Sequence, residues 1–182
     1  MTLEEAQSEM RLIYRRGSVG QLVTGLVWLG SAALAIAGDQ RLAIIALLQG
    51  GMAIFPLTQL VLRMWGGRAS PSRQSPLSRF SLQSVVAMAV LYPLVYVAAL
   101  HNFNWFYPAF MIVVGAHYIS FIFLNGMWEY GLLAGVLVGS GVFLGIVFPN
   151  AFTLGGWTSG TVLLLFALYA SFTPRYPPRT LD

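Results

Sequence analysis

Apolar residues occupy six long stretches of the chain, and polar residues are confined to the short gaps between them. A helix needs about 20 mostly apolar residues to cross a bilayer, and it satisfies its own backbone hydrogen bonds there, as lipid requires. The pattern therefore predicts an all-α, polytopic membrane protein with six transmembrane helices. The predicted spans are 19–37, 42–65, 82–100, 106–124, 130–148 and 157–172.

The segment before the first span has the pattern of a short amphipathic helix. Thr2 and Glu5 have the spacing of a capping box, in which each side chain binds the backbone N–H of the other residue. Apolar side chains recur on one face of the following turns, at Leu3, Ala6, Met10 and Ile13. We expect residues 1–17 to form an interfacial helix on the membrane surface. A frayed tail is the alternative for so short a stripe.

The composition agrees with a membrane protein and excludes several classes of function. Charged residues make up 9% of the chain, against roughly 25% in a soluble domain. The basic residues are all arginine and lie near span ends, so the positive charge indicates contact with anionic headgroups and not a nucleic-acid surface. The chain contains no cysteine, which excludes disulfides and thiolate chemistry.

The arginines also predict the orientation of the protein. If the N-terminus lies in the cytoplasm, only Arg41 lies on the opposite side of the membrane. This asymmetry follows the positive-inside rule, and with six spans it places both termini, including the tail 174–182, on the cytoplasmic side. The arginines expected on that side are Arg11, Arg15, Arg16, Arg63, Arg68, Arg73, Arg79, Arg175 and Arg179.

Five glycines of the fifth span recur in two sets, each with an interval of four residues. They are Gly131, Gly135, Gly139, Gly141 and Gly145. This interval stacks positions without a side chain on one helical face, so that another helix can approach closely. We interpret these glycines as helix-packing residues and expect the fifth span to be central in the bundle.

Polar residues within the spans are costly in lipid and therefore indicate functional positions. His117 lies near the middle of the fourth span, where an imidazole can relay a proton or bind a substrate, or can simply bond a neighbouring helix. Gln49 precedes Gly50-Gly51, a glycine pair that can interrupt a helix. Interrupted helices form binding sites in transporters. A packed kink without a ligand is the alternative. The predicted ligand-binding residues are Gln49, Tyr92, Tyr96, His117 and Tyr118.

Catalytic and cofactor chemistry has little support in the sequence. Gly139-Ser140-Gly141 with His117 suggests part of a serine hydrolase site, but no carboxylate lies at span depth to orient the histidine. The two histidines lie at different depths and do not match a haem site, the ligands of a zinc site are missing, and no phosphate-binding loop is found. We expect no catalytic residue, no metal and no cofactor.

Glu129 lies between the fourth and fifth spans, on the side predicted to be cytoplasmic. A carboxylate at this position either gates the mouth of the bundle or caps the fifth span, where the helix dipole favours a negative charge. Capping is the simpler interpretation.

The stretch from Gly115-Ala116-His117-Tyr118 to Phe123-Leu124, with Arg15-Arg16-Gly17 after the N-terminal polar helix, resembles a family of small bacterial membrane proteins. That family is a domain of unknown function. The resemblance implies a bacterial cytoplasmic (inner) membrane as the location. It implies no activity, substrate or catalytic residue.

Three functions are compatible with these observations. The leading hypothesis is a bundle that binds a small or lipid-like molecule in a cavity around His117, between spans two to five. In one version of this hypothesis the protein also translocates the molecule. The second is a non-transporting accessory, sensor or scaffold protein whose intramembrane polar residues are structural. The third is a membrane-embedded enzyme acting on lipid. The expected partners are membrane lipids, a small-molecule or lipid ligand and, as a homo-oligomer, a second copy of the chain.

Overall fold

The computed structural model describes residues 2–65 and 77–173, and this part of the chain is helical with short connections. The helices are α1 Leu3–Ile13, α2 Ser18–Ile36, α3 Gln40–Met64, α4 Leu77–Val90, α5 Tyr92–His101, α6 Phe106–Asn125, α7 Glu129–Val147 and α8 Leu154–Phe172. Within the described residues, six helical segments are long and apolar enough to cross a membrane, with α4 and α5 forming one of them. The prediction of an all-α, six-span membrane protein is therefore confirmed.

Two segments used in the sequence predictions lie outside the described residues, the tail 174–182 and the arginine-bearing segment 66–76. They contain four of the arginines used to predict the orientation, Arg68, Arg73, Arg175 and Arg179. The orientation itself stays a prediction. The third span, predicted from residue 82, begins earlier in the structure, because α4 already begins at Leu77.

The amphipathic helix α1 is present and packs against the end of α6. Both hydrogen bonds of the capping box form: the Thr2 N–H donates to Glu5 Oε2 at 2.7 Å, and the Glu5 N–H donates to Thr2 Oγ1 at 3.2 Å. The apolar face buries Ala6, Met10 and Ile13. The Gln7 amide also donates to the carbonyl oxygen of Phe123 at 2.7 Å. Apolar burial and polar contacts thus fix α1 to the bundle.

The centre of the bundle is built on α2 and α6, and the expectation that the fifth span is central is wrong. Half of the most apolar part of α2 and of α6 is buried, against a third of α7. The reason is aromatic packing, because Trp28 of α2 stacks on Phe110 of α6 with ring centroids 5.4 Å apart. Large rings fill an interior, whereas glycines only allow close approach on one face.

The glycines of α7 do not all face the same neighbour. A Cβ atom at Gly141 would lie 2.8 Å from the Pro108 carbonyl oxygen of α6, and one at Gly115 would lie 3.0 Å from the Val138 nitrogen of α7. These two glycines therefore permit the close contact between α6 and α7. Two further glycines also face α6, Gly131 and Gly145. The remaining two are Gly135 and Gly139, and a Cβ added at either would have no described atom within 4 Å.

A second close contact joins α2 to α8 through Gly25 and Gly160. A Cβ at Gly25 would lie 3.0 Å from the Gly160 carbonyl oxygen, and a Cβ at Gly160 would lie 3.1 Å from the Gly25 carbonyl oxygen. The two backbones are therefore nearly in contact. Any side chain larger than hydrogen would separate the helices.

The helix of the third span is interrupted, whereas the sequence predicted an interruption in the second span. The α-helix stops at Val90 and resumes at Tyr92, with Pro93 in its first turn. Proline has no backbone N–H and clashes with the carbonyl four residues earlier, but it is tolerated in a first turn. In contrast, α3 continues through Gly50-Gly51 and Pro56.

Candidate functional site

The interior contains a polar pair that joins α2 to α6. The Tyr118 hydroxyl donates to Gln21 Oε1 at 2.7 Å, and both side chains are buried. The Tyr118 ring also contacts the ring of Tyr130, with centroids 6.1 Å apart. Tyr118, predicted to bind a ligand, thus uses its hydroxyl to bond a neighbouring helix. A hydrogen bond of this kind stabilises helix contacts in lipid.

A second buried cluster joins three helices. The Ser31 hydroxyl of α2 donates to the Ala43 carbonyl oxygen of α3 at 2.7 Å and lies 2.5 Å from the Tyr107 hydroxyl of α6. Because the Ser31 proton is used by the carbonyl, the Tyr107 phenol is the donor in the second bond. The cluster satisfies these hydroxyls within the protein.

His117 contacts the broken third span. Its Nδ1 lies 3.0 Å from the Ser84 hydroxyl oxygen and 3.1 Å from the Ser84 carbonyl oxygen of α4. A protonated Nδ1 donates to that carbonyl. The ring also meets Phe121 edge to face, with centroids 5.1 Å apart. Ser84 is the partner that the sequence analysis missed, since nothing in the pattern of α4 distinguishes it from other polar positions.

The five predicted ligand-binding residues do not meet at one point. Gln49 lies on the exposed surface of α3, and Tyr96 is 65% exposed on α5. Tyr92 is half-buried and packs edge to face on Phe110, with centroids 5.4 Å apart. His117 and its neighbour Tyr118 lie together, with ring centroids 6.0 Å apart.

A cleft of about 1100 Å³ opens at the end of the bundle that carries α1. Its walls come from α1, the turn before α2, the end of α3, the start of α7 and the end of α8. Two acidic residues, Glu4 and Glu5, line the part formed by the start of α1. The other charged or aromatic residues of the cleft are Arg11, Arg15, Arg16, Trp65, Trp128 and Glu129. We call this recess the N-terminal cleft.

An apolar groove of about 540 Å³ lies next to the N-terminal cleft, along the surface between α2 and α8. The two recesses share Ser18, Trp65 and Ser171 in their walls. Beyond them the groove is lined mainly by aliphatic side chains, Val19, Leu22, Leu164, Leu165 and Leu168. A cleft with charged side chains in its walls thus adjoins an apolar groove that extends along the spans.

The three arginines of the cleft are held by different contacts. Arg11 donates to the Asn125 carbonyl oxygen at 2.5 Å. The Arg15 guanidinium lies over the Trp65 ring, 5.0 Å from its centroid, which is a cation–π distance. Arg16 pairs with Glu129 at 3.5 Å. Glu129 lies in the first turn of α7, but its carboxylate makes no capping hydrogen bond to the described backbone and instead neutralises one of these arginines.

The backbone that presents Arg15 and Arg16 is in an unusual conformation. Three successive residues have positive φ, at 48° for Arg15, 57° for Arg16 and 81° for Gly17. Residues other than glycine adopt this region at a cost, and such positions cluster at functional sites. The Tyr130 hydroxyl donates to the Arg16 carbonyl oxygen at 3.0 Å and helps to hold the turn.

The charges of Arg11 and Arg16 oppose each other. Burial, followed by the positive charge of Arg16, lowers the pKa of the Arg11 guanidinium, and Glu4 raises it by a smaller effect. The Arg16 Nε is buried and has no hydrogen-bond partner among the described residues. The cleft therefore contains neighbouring arginines balanced by carboxylates, and one buried donor, Arg16 Nε, that has no described acceptor and is free to bind an anionic group.

The comparison with protein families identifies this chain over nearly its whole length. The model of DUF7010, a family of unknown function, matches residues 3–173. The chain belongs to this family. The resemblance to a domain of unknown function is thereby confirmed. No curated protein and no solved structure shows a match to the chain.

The match to the DUF7010 family covers α1 and all six spans, so every residue lining the N-terminal cleft except Thr2 lies within the matched region. The cleft itself was not predicted. Its parts are separated by more than 100 positions, as in the contact of Arg16 with Glu129. The arginines were recognised only as indicators of orientation, because a span-end arginine has the same pattern whether or not it lines a cavity.

Proposed function

We propose that this integral membrane protein binds an anionic lipid-like molecule, with the polar head in the N-terminal cleft and an acyl chain in the adjoining groove. The observation that carries the proposal is that the two recesses adjoin, because both are lined by Ser18, Trp65 and Ser171. A cleft containing arginines matches a phosphate-bearing head, and an aliphatic groove matches a hydrocarbon chain.

The arginines support an anionic head in preference to a neutral one. A phosphate between Arg11 and Arg16 would reduce their mutual repulsion, and the unused Nε of Arg16 would supply a donor. Charge-assisted hydrogen bonds of this kind contribute about 1.5–3 kcal/mol each. The Trp65 and Trp128 rings, 52% and 66% exposed, lie at span ends, the level at which tryptophan meets headgroups.

The expected orientation fits the same proposal. If the N-terminus is cytoplasmic, the N-terminal cleft opens at the cytoplasmic leaflet, whose anionic lipids attract basic residues near the membrane surface. Of the described arginines, Arg41 lies at the start of α3, at the other end of the bundle. It therefore provides a charge-matched control position.

Quenching of Trp65 fluorescence tests the proposal, because this ring lies where the cleft meets the groove. The protein is reconstituted in nanodiscs containing increasing fractions of acyl-brominated phosphatidylglycerol or phosphatidylcholine. The signal of Trp65 is the difference between the parent and the Trp65→Phe variant, since the chain has five tryptophans. We expect half-saturation at a lower fraction of the anionic lipid.

Substitution of the arginines completes the test. Arg16→Gln raises the half-saturating fraction of phosphatidylglycerol about tenfold, which corresponds to one lost charge-assisted bond, and Arg41→Gln leaves it unchanged. Competition by soluble glycerol phosphate would indicate that the head alone is recognised. Equal quenching by both lipids, or equal effects of the two substitutions, would refute the proposal.

A non-transporting accessory or scaffold role is the second candidate, and a specific observation favours it. Three polar residues within the spans, Gln21, Ser31 and His117, each bond another helix, as structural groups do. Co-purification of a stoichiometric partner protein, without preference for anionic lipid, would support this function. Translocation through a cavity around His117 stays a prediction, and thiol labelling of a cysteine at position 117 tests whether water reaches that cavity.

A further inference from the structure

One surface of α3 faces away from the rest of the described bundle. Among the described helices, α3 packs mainly on α2, and only 11% of its most apolar part is buried. The side of α3 that meets α2 includes Gly50, where a Cβ would lie 2.5 Å from Val27 of α2. The opposite side is available to lipid or to another protein.

The exposed side of α3 carries side chains at intervals of three and four residues. These are Leu42, Ile45, Gln49 and Met52, and each of them is exposed. This is the spacing of the a and d positions of a heptad, along which two helices pack with a small left-handed crossing angle. We call these four residues the α3 seam.

Gln49 is the unusual member of the α3 seam. It lies in the tenth position of a helix of 25 residues, away from both ends of the span. Its side chain makes no hydrogen bond to any part of the chain that the structure describes. An amide that faces hydrocarbon without a partner is costly. The amide has both donors and an acceptor, so an identical amide satisfies it.

We propose that a second copy of this chain packs along the α3 seam, with the two Gln49 amides bonded to each other across a twofold axis. A polar residue at a single a position of an apolar seam fixes the register and the number of helices. In a twofold dimer the same residue faces itself, so each Gln49 donates to and accepts from the other. The inference is independent of the lipid proposed for the N-terminal cleft.

Single cysteines test the seam directly, because the parent chain has no cysteine. Ile45→Cys and Met52→Cys are oxidised in native membranes with copper phenanthroline, beside Leu165→Cys, a 61% exposed position on α8. We expect both seam variants to form a disulfide-linked band of twice the monomer mass, and Leu165→Cys to form little. Failure of both seam variants to exceed Leu165→Cys would overturn the proposal. A band of another mass would identify a different protein on this surface and would overturn it as well.

The role of Gln49 is tested by its replacement. Gln49→Leu keeps the seam apolar and should weaken dimerisation about tenfold in a fluorescence energy-transfer titration in lipid, because the amide bonds are lost. Gln83→Leu makes the same change at an exposed position of α4 and should have no effect. An unchanged dimerisation constant for Gln49→Leu would refute the amide pairing, whatever the cross-links show.

Discussion

The bond between Tyr118 and Gln21 gives the sharpest test of how the interior of this membrane protein is held together. Tyr118→Phe removes the hydroxyl and leaves the Gln21 carbonyl oxygen without its donor at 2.7 Å. Gln21→Leu removes the amide and leaves the phenol without its acceptor. The double variant removes both partners and leaves only apolar atoms. These four proteins form a double-mutant cycle.

The magnitude follows from burial. Both side chains are less than 5% exposed, at 3% and 4%, so water does not replace the lost partner. A buried polar group without a partner costs about 1–3 kcal/mol. Hydrogen bonds between membrane helices have coupling energies that average about 0.6 and reach about 1.7 kcal/mol. A short, fully buried bond belongs in the upper part of that range. We expect each single variant to lose about 1–2 kcal/mol and the coupling to be about 1–1.7 kcal/mol.

Reversible unfolding in mixed micelles of increasing dodecyl sulfate content measures these free energies, with tryptophan fluorescence as the signal. Trp28 is only 2% exposed and stacks on Phe110 of α6, so its emission reports separation of α2 from α6. A second cycle combines Tyr118→Phe with Ser171→Ala near the end of α8, which contacts neither partner. That cycle should be additive to within about 0.5 kcal/mol.

A refuting result is additivity of Tyr118→Phe and Gln21→Leu. The hydrogen bond would then contribute nothing measurable to the contact between α2 and α6. The buried polar groups would need another explanation, and a ligand within the bundle would become the leading one. A large coupling instead strengthens the interpretation that the interior polar residues are structural.

Two further predictions concern helix contact and access of water. Gly160→Leu should lower the free energy of unfolding by about 1–3 kcal/mol or more through overpacking, because its Cβ would lie 2.5 Å from Leu29 Cγ. Gly135→Leu, at a position where the described chain leaves open space, should change the free energy of unfolding by less than about 0.5 kcal/mol. Equal losses for the two variants would contradict the close contact of α2 with α8 at Gly160. His117→Cys should react with aqueous thiol reagents in intact membranes far more slowly than Leu12→Cys, which is 56% exposed on α1. Rapid labelling of position 117 would support a water-filled cavity around His117.

The spans were predictable because lipid imposes one requirement on each of them. About 20 apolar residues must be continuous in the sequence, so the information is local. The amphipathic helix α1 was predictable for the same reason, since the capping box of Thr2 and Glu5 and the apolar face lie within a few turns. Local patterns therefore gave the fold class and the order of the helices.

The break in the third span shows where local patterns fail. The sequence has a glycine pair and Pro56 in the second span and only Pro93 in the third, yet only the third is interrupted. In α3, the contact of Gly50 with Val27 shows α2 packed against the helix at the glycine pair. Packing between helices decides whether a weak point becomes a break, and the neighbour of a helix cannot be identified from its own residues.

The candidate site was unpredictable because its parts are far apart in the sequence. The predicted centre, His117, was chosen for its depth, but its bond to Ser84 uses the imidazole within the protein. The arginines of the N-terminal cleft resemble any arginine at a span end until α7 brings Glu129 to Arg16. Polar residues within the spans therefore predicted hydrogen bonds between helices, and they did not predict the position of the open cleft.

The distribution of satisfied and unsatisfied polar groups links the two proposals. Tyr118 and Ser31 have their hydrogen bonds inside the protein, so they stabilise the bundle without a ligand. Arg16 has a buried donor without a described partner, and Gln49 exposes an amide on the surface of a span. Such groups are expensive in or near lipid unless something outside the chain binds them. Arg16 already has Glu129 as its counter-ion, so among the described residues it lacks only an acceptor for Nε, and the Gln49 amide has no described partner at span depth. The chemistry of each group is therefore matched by the partner proposed for it, a lipid head for Arg16 and a second chain for Gln49.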